Sequence, residues 1–421
     1  MTALDNTASL KAVDLSRRRQ TLTAGWLLLA AAAFVALVFG LDSSGSATFR
    51  LSYPGDAFVV PNLVVPAAPY AYAVAAILAF LGARQFMRGA ARWTGLLLSI
   101  GMLLAVTAFL TWAADGKSFS LTGMLQATLV RAVPIALGAL AGVLCERVAV
   151  VNIAIEGMLL AGAFTGAVVG SLAGGTLGLT AAVVVGGIFG LLLAVLVITY
   201  RVDQIIAGVA INLLVLGLTS YAASQVLTRY RFLNDAPIFR SIEVPFLSDL
   251  PVVGPLLFQH NVFVYGMFVM VAIATYYLFY TRSGLRARAV GEHPEAADTL
   301  GVNVYRLRYI NVVIGGMVAG FGGAWFTLGS VGRFDDNMTG GRGFIGLAAM
   351  IFGRWHPAGA LAAALVFGFA DSLQQKLAIL QTPIPSEFLA MIPYVATIVL
   401  VAGVIGRARA PAADGKPYIK G

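Results

Sequence analysis

The apolar residues of this chain come in blocks too long for a soluble core. Eleven stretches, at about 24–41, 64–82, 94–114, 127–145, 152–172, 176–199, 205–227, 262–280, 307–330, 357–373 and 387–406, are long and apolar enough to span a bilayer. A shorter piece, 343–353, is a twelfth crossing or a re-entrant segment. In hydrocarbon a spanning segment must pair its own backbone groups, so the spans are helices. The expectation is an all-α polytopic membrane protein of about 11–12 transmembrane helices. Composition agrees: only 11% of residues are charged, against about 25% in soluble domains.

The formal net charge of +9 would suggest nucleic acid in a soluble protein. Here the basic residues sit in short loops, with no basic domain to grip a polynucleotide. Arg17, Arg18 and Arg19 precede the first span. Arg84, Arg88 and Arg92 fill the second loop, and Arg201 closes the sixth span. Arg282, Arg286, Arg288, Arg306 and Arg308 crowd the loop after the eighth; Arg407, Arg409, Lys416 and Lys420 mark the tail. The positive-inside rule places these loops and both termini in the cytoplasm. The setting is a bacterial inner (plasma) membrane. The longest external segment, Thr228 to Asn261, suits a cap or a docking surface for a partner.

Chemistry is sparse. One cysteine, Cys145, excludes an intrachain disulfide and a multi-Cys metal site. His260, His293 and His356 lack metal-ligand spacing. No Ser/His/Asp set suggests catalysis, and no G-x-x-x-x-G-K-[ST] phosphate loop is present. The reading is no enzyme, no catalytic residues, no metal and no cofactor. Any ATP-driven work needs an ATPase on another chain.

The most informative loop is 281–308. Glu292 and His293 lead into Pro294, which suits a first helical turn. Glu295, Ala296, Ala297, Asp298, Thr299 and Leu300 allow one or two turns, with acidic residues at the positive helix end. Gly301 supplies a stop. A short helix between two spans can pass a push from a soluble partner into the membrane.

These residues resemble a known family. Glu295-Ala296-Ala297 with Gly301 matches the E-A-A-x-x-x-G coupling loop of ATP-binding-cassette (ABC) import permeases. Three further blocks, 146–158 (ERVAVVNIAIEGM), 203–214 (DQIIAGVAINLL) and 341–355 (GRGFIGLA to FGRW), are similar to signatures of the branched-chain amino acid, simple sugar and nucleoside permease superfamily. They are most similar to its nucleoside-type members. Ala149 and Ala154 stand where the family often has Gly. The resemblance covers about 121–406. It implies a vitamin-B12/ribose-importer-like permease core with coupling loop 281–308. Residues 1–120 are then an N-terminal tail plus three extra spans, and 407–421 a cytoplasmic tail. The resemblance also implies the partners: an ABC ATPase, a second permease subunit (a heterodimer), an extracytoplasmic solute-binding lipoprotein and membrane lipid, with no nucleic acid. Glu292, Pro294, Glu295, Ala296, Ala297 and Gly301 become the ATPase-coupling residues. The solute is a nucleoside, with a simple sugar or branched-chain amino acid as alternatives. An ion-coupled secondary carrier is the alternative class.

Ionisable and polar residues within spans are costly and mark candidate pathways. Asn152 and Glu156 share a helix face one turn apart; they line the solute path or brace a broken helix. Asn212 lies mid-span and contacts solute or ties two helices. Phe344, with Phe164, Trp325 and Phe326, offers an aromatic face to a base or packs. Arg131, read as near an outer helix end, can snorkel; Asp371, Gln374 and Gln375 suit an exposed outer end. Residues 151–158 and 343–350 echo one another as openings of Gly/Ala-rich segments. Paired interrupted segments of this kind point to a transporter's midplane site.

Overall fold

The computed structural model describes residues 18, 21–52, 59–88, 91–380, 385, 388, 391 and 409–420. Apart from Phe388 and Met391, the predicted span 387–406 lies outside the described residues, as do Lys11, Arg17, Arg19, Asp56 and Arg407. Among the described residues ten helices are long and apolar enough to cross a membrane, and their bounds fall within about six residues of ten of the predicted spans. The chain divides into two compact units, one of 1–123 with 375–389 and one of 124–374 with 390–421.

The first unit holds α1 (Thr21–Gly40), α2 (Ala67–Arg88) and α3 (Ala91–Ala113). Leu28, Val35, Val74 and Leu78 form its core. Three short strands, β1 (Ser46–Arg50), β2 (Leu63–Pro66) and β3 (Ser118–Ser120), make a sheet in the order β2-β1-β3. β1 runs antiparallel to β2 and parallel to β3. The Asp115 carboxylate accepts the Ser44 and Gly45 amides at 2.9 and 3.0 Å, which pins the loop entering β1.

The second unit contains α4 (Leu121–Glu146, most of it), α5 (Ile155–Ala173), α6 (Gly175–Ala194, wound on to Thr199), α7 (Gln204–Ala222, wound on to Leu227) and α8 (Val262–Tyr280). Strands β4 (Ile242–Glu243) and β5 (Gln259–His260) pair in the long 228–261 connection. Two short helices follow α8: α9 (Arg282–Glu292) and α10 (Pro294–Thr299). Then come α11 (Val304–Phe326, wound on to Val331), α12 (Arg342–Phe352) and most of α13 (Pro357–Ile379).

Glycine sets the spacing of α5, α6 and α11. A Cβ on Gly316 would overlap the Gly186 carbonyl, and one on Gly323 would overlap that of Leu159. Lipid tails are as apolar as leucine, so membrane helices gain from close backbone packing rather than from burying oily side chains. Small residues at these contacts are the means.

Two elements are broken. After α4 the chain turns at Ala149, whose φ is +62°, and threads back as a buried strip before α5 begins. A Cβ on Gly138, eight residues before the end of α4, would touch Ile155, so α5 starts level with the inner part of α4. In the other break, Gly340 (φ +54°) and Gly341 (φ +81°) take left-handed conformations that favour glycine and open α12. With 11 residues, α12 rises about 16 Å, half of a bilayer core. Its far end turns at Gly353 beside the Glu146 end of α4. The stretch 332–352 is thus a loop followed by a half-helix.

Candidate functional site

The two broken elements meet. The Glu156 carboxylate, in the first turn of α5, accepts the Gly341 amide at 2.8 Å and the Gly343 amide at 2.6 Å. Helix N-termini carry unpaired amides and a partial positive charge, so a carboxylate there is doubly favoured. Gly343 is required for the approach: a Cβ would lie 2.7 Å from the Glu156 Cα. Asn212 of α7 serves the same junction. Its Oδ1 accepts the Gly157 amide at 2.7 Å and its Nδ2 donates to the Ile153 carbonyl at 2.9 Å. Gln204 Oε1 accepts the Val151 amide at 2.6 Å. Asn152 is fully buried; its Nδ2 donates weakly to the sulfurs of Cys145 and Met158, while its Oδ1 has no hydrogen-bond partner among the described residues. Three of the four predicted pathway residues therefore gather at one junction, with most of their polar atoms taken up by backbone. Phe344 lies on the other face of α12 and is 47% exposed.

A charged cluster neighbours this junction. Arg131 of α4 bonds Asp371 of α13 at 2.9 Å, and Arg342, the first residue of α12, reaches the same carboxylate oxygen at 3.4 Å. A Cβ on Gly368 would lie 2.6 Å from the Thr128 carbonyl, so its absence lets α13 close on α4 one turn away. The sequence reading put Arg131 and Asp371 near outer ends, snorkelling or exposed. Their positions differ: Arg131 lies ten residues into α4 and Asp371 eight residues before Ile379. At 1.5 Å per residue Arg131 is about 15 Å from the start of α4 and Asp371 about 12 Å from the end of α13. Single-residue inspection missed a pair 240 positions apart; the signal available was two opposite charges at similar distances from the start of one span and the end of another.

At the Glu146 end lies the 281–308 platform. Thr281 Oγ1 caps α9 through the Gly284 amide at 3.0 Å, and Asn303 caps α11 through the Arg306 amide at 2.9 Å. Pro294 opens α10, and Gly301 (φ +80°) closes it, its amide donating to the Asp298 carbonyl at 2.8 Å. Glu295 and Ala296 are exposed while Ala297 is buried. Leu300, 84% exposed, projects beside them.

Segment 409–420 lies across this platform as a strap. The Ala413 amide donates to the Gly291 carbonyl at 3.0 Å, and the Ala412 amide to Glu292 Oε2 at 3.1 Å. Arg308, buried, donates to the Lys416 carbonyl at 3.3 Å beneath the Tyr418 ring. Burial pushes the Asp414 carboxyl up to about 6, against a hydrogen bond with Glu146 that lowers it. Burial and the neighbouring Arg288 lower the Arg147 guanidinium, which donates to the Trp355 carbonyl at 2.8 Å. Trp355 in turn donates from its indole to Glu146 at 2.5 Å, which ties the end of α12 to that of α4.

Residues 124–405 match the family described as the branched-chain amino acid transport system permease component. The chain belongs to that family. A member of it is a membrane permease and not an enzyme. The permease is 43% identical over 309 residues to the guanosine ABC transporter permease protein of Bacillus subtilis strain 168, covering 71% of this chain and 97% of that one. It is 39% identical over 305 residues to the nucleoside ABC transporter permease protein NupC of Lactococcus lactis subsp. cremoris, covering 69% and 95%. A putative glucose ABC transporter permease protein of Haloferax volcanii is 33% identical over 259 residues, covering 60% and 77%. No solved structure matches the permease.

Proposed function

We propose that this permease is the membrane subunit of an ATP-driven importer for a nucleoside. The observation that carries the solute class is the similarity to a guanosine and a nucleoside permease along nearly the whole of each. The platform supports ATP coupling. α10 stands between two spans, exposes Glu295 and Leu300, and is braced beneath by the buried Ala297. By the positive-inside rule its basic surroundings read as cytoplasmic, as do both termini. The sequence holds no phosphate loop, so a separate ATPase closes on ATP and moves α10. A second permease subunit completes the conduit, and a binding lipoprotein delivers the solute outside. At that end a cavity of about 580 Å³ is lined by Arg231, Phe232, Asn234, Asp235 and Arg333, among others. On this reading it is the surface offered to the lipoprotein. Glu156, Asn152 and Asn212 hold the half-helices in place beside the path.

The test is uptake of radiolabelled guanosine into proteoliposomes carrying the full complex, with ATP supplied to the ATPase. The expected result is uptake that unlabelled nucleosides suppress and glucose does not. Suppression by glucose alone would favour the sugar alternative, for which the glucose-type relative is the specific support. Uptake that survives ATP depletion but collapses with the proton gradient would replace the ABC reading with an ion-coupled carrier.

A further inference from the structure

We propose that residues 416–420 are a latch that holds α10 against α11 and swings away before α10 can move. This rests on the reading of α10 as the element an ATPase moves. It adds a brake carried on the permease itself.

The inner part of the strap, 411–415, is a turn braced by its own bonds. The Asp414 amide donates to the Pro411 carbonyl at 3.0 Å and the Lys416 amide to the Ala413 carbonyl at 3.1 Å. This turn is anchored on α9. The Ala413 amide supplies a donor to Gly291, at a helix end whose carbonyls lack partners within the helix. The Ala412 amide bonds Glu292 beside it. A Cβ on Gly291 would lie 3.4 Å from the Pro411 Cβ and would overlap the Arg147 carbonyl, so α9 is pressed between the turn and the chain leaving α4. The outer part, 416–420, then crosses to α11 and α10. The Tyr418 ring packs on Tyr305 with centroids 5.3 Å apart, and Lys420 Nζ stands 3.9 Å from Asp298 of α10. While this arm is docked, α10 cannot shift against α11 without breaking it.

The two parts are held unequally. Arg308 reaches the Lys416 carbonyl at 3.3 Å, Tyr305 Oη donates to the Tyr418 carbonyl at 3.4 Å, and the Lys420 amide donates to Tyr305 Oη at 3.4 Å. All three lie beyond the usual hydrogen-bond range. The Lys420–Asp298 pair is solvated on the lysine side, so it contributes little. Beneath the arm, buried Arg308 keeps Nε and Nη2 without a hydrogen-bond partner among the described residues, as Asp414 keeps Oδ1. Buried polar groups left unpaired favour a state in which water reaches them. The arm is thus held mainly by one aromatic pair, over groups that gain from being uncovered. Gly415 divides arm from anchor at φ +74°, a conformation that favours glycine. It is the natural pivot.

The arm also lies where a partner would meet it. Asp298 stands three positions after Glu295 on the same short helix, and residues three apart are surface neighbours. A partner engaging α10 through exposed Glu295 therefore reaches Asp298 and displaces Lys420.

The test pairs the full complex in proteoliposomes with the purified permease. In the complex, a chain ending at Gly415 and the Tyr418→Ala variant are expected to hydrolyse ATP severalfold faster than the native complex when no solute-loaded binding protein is present. Lys420→Glu, at an exposed position that leaves Tyr418 packed, repeats the test without disturbing the fold. Asp298→Cys with Lys420→Cys, joined by a short bis-methanethiosulfonate, should lower uptake, and dithiothreitol should restore it. The two single variants report any background, including that of buried Cys145. Slower hydrolysis and uptake in the released chains, at unchanged melting temperature, would make the segment a strut that transmits the push and would overturn the latch. Full uptake by the cross-linked complex would do the same. In the permease alone, release should speed hydrogen exchange severalfold at the Ala297, Gly301 and Val302 amides, whose bonds hold α10 together. Unchanged exchange there would also overturn the latch. That arm of the test involves neither ATP nor solute, so it reads the latch even where the importer assignment fails.

Discussion

Replacing Glu156 tests whether the junction of the two half-helices is a structural brace. Its carboxylate accepts two amides at 2.8 and 2.6 Å, and the residue is buried. Hydrogen bonds to a charged group contribute about 1.5–3 kcal/mol each. Glu156→Ala leaves both amides of the α12 N-terminus without a partner and removes the negative charge that complements the helix dipole. The expected loss is about 3–5 kcal/mol. Glu156→Gln keeps one acceptor oxygen but points an amide nitrogen at the second N–H, so it should lose about half of that. The assay is thermal unfolding of the purified permease in detergent, followed by the fluorescence of the buried Trp325 and Trp355. The ranking native, then Gln, then Ala is the expected outcome. An Ala variant that melts with the native protein yet has lost transport would refute the brace and restore Glu156 to the solute path.

Glu295→Lys and Gly301→Val should each abolish uptake while membrane insertion, read by membrane-fraction abundance, stays intact; Gly301 sits at φ +80°, where a β-branched residue is strained. Normal uptake by both would remove the coupling role of α10. Gly316→Ala should destabilise by several times more than Gly217→Ala in the same melting assay, since a Cβ at 316 overlaps the Gly186 carbonyl and one at 217 meets open space; equal melting would show that α6 and α11 can move apart cheaply. The strap should bind its platform more tightly in acid. Asp414 rises from 3.8 to about 6 on docking, so the docked form holds the extra proton and stability is lost as pH rises from about 4 to about 6. Hydrogen exchange at the Ala413 amide, corrected for intrinsic rate, should show this loss of protection, and Asp414→Asn should flatten it.

Ten of the spans were legible because hydropathy over some twenty residues reports a property of the medium, and no tertiary contact can mask it. α10 was legible for a local reason: Pro294 and Gly301 punctuate a turn wherever they occur. The separate helix α9 escaped notice because basic residues such as Arg282, Arg286 and Arg288 mark topology as readily as structure. Glu156 and Asn212 were visible as polar residues in apolar runs. Their partners were not, because the atoms they satisfy are backbone amides and carbonyls, which every residue carries and no sequence pattern flags. Arg131 and Asp371 were seen singly and assigned to the wrong environment, since depth depends on where helices begin, and α4 begins at Leu121 rather than the expected 127.

That error bears on mechanism. Shortening α4 by six residues moves Arg131 to a helix end, where a charge needs no explanation. Ten residues into a spanning helix it calls for a counter-charge, and Asp371 supplies one. Asp371 in turn draws in Arg342, the first residue of a half-helix that exists only because Gly340 and Gly341 let the chain turn there. The α12 N-terminus needs an anion of its own, and Glu156 of the other broken element supplies that. Each charge placed in the membrane is answered by the next, and the chain of answers runs from the α4–α13 contact to the start of α5. Reversing one link without its neighbour, as in Asp371→Arg, gathers three guanidiniums at one point. The expectation is failure to assemble, with partial recovery when Arg131→Asp is added. Recovery by the pair would show that the interaction between the two side chains, and not either side chain alone, is what the fold requires.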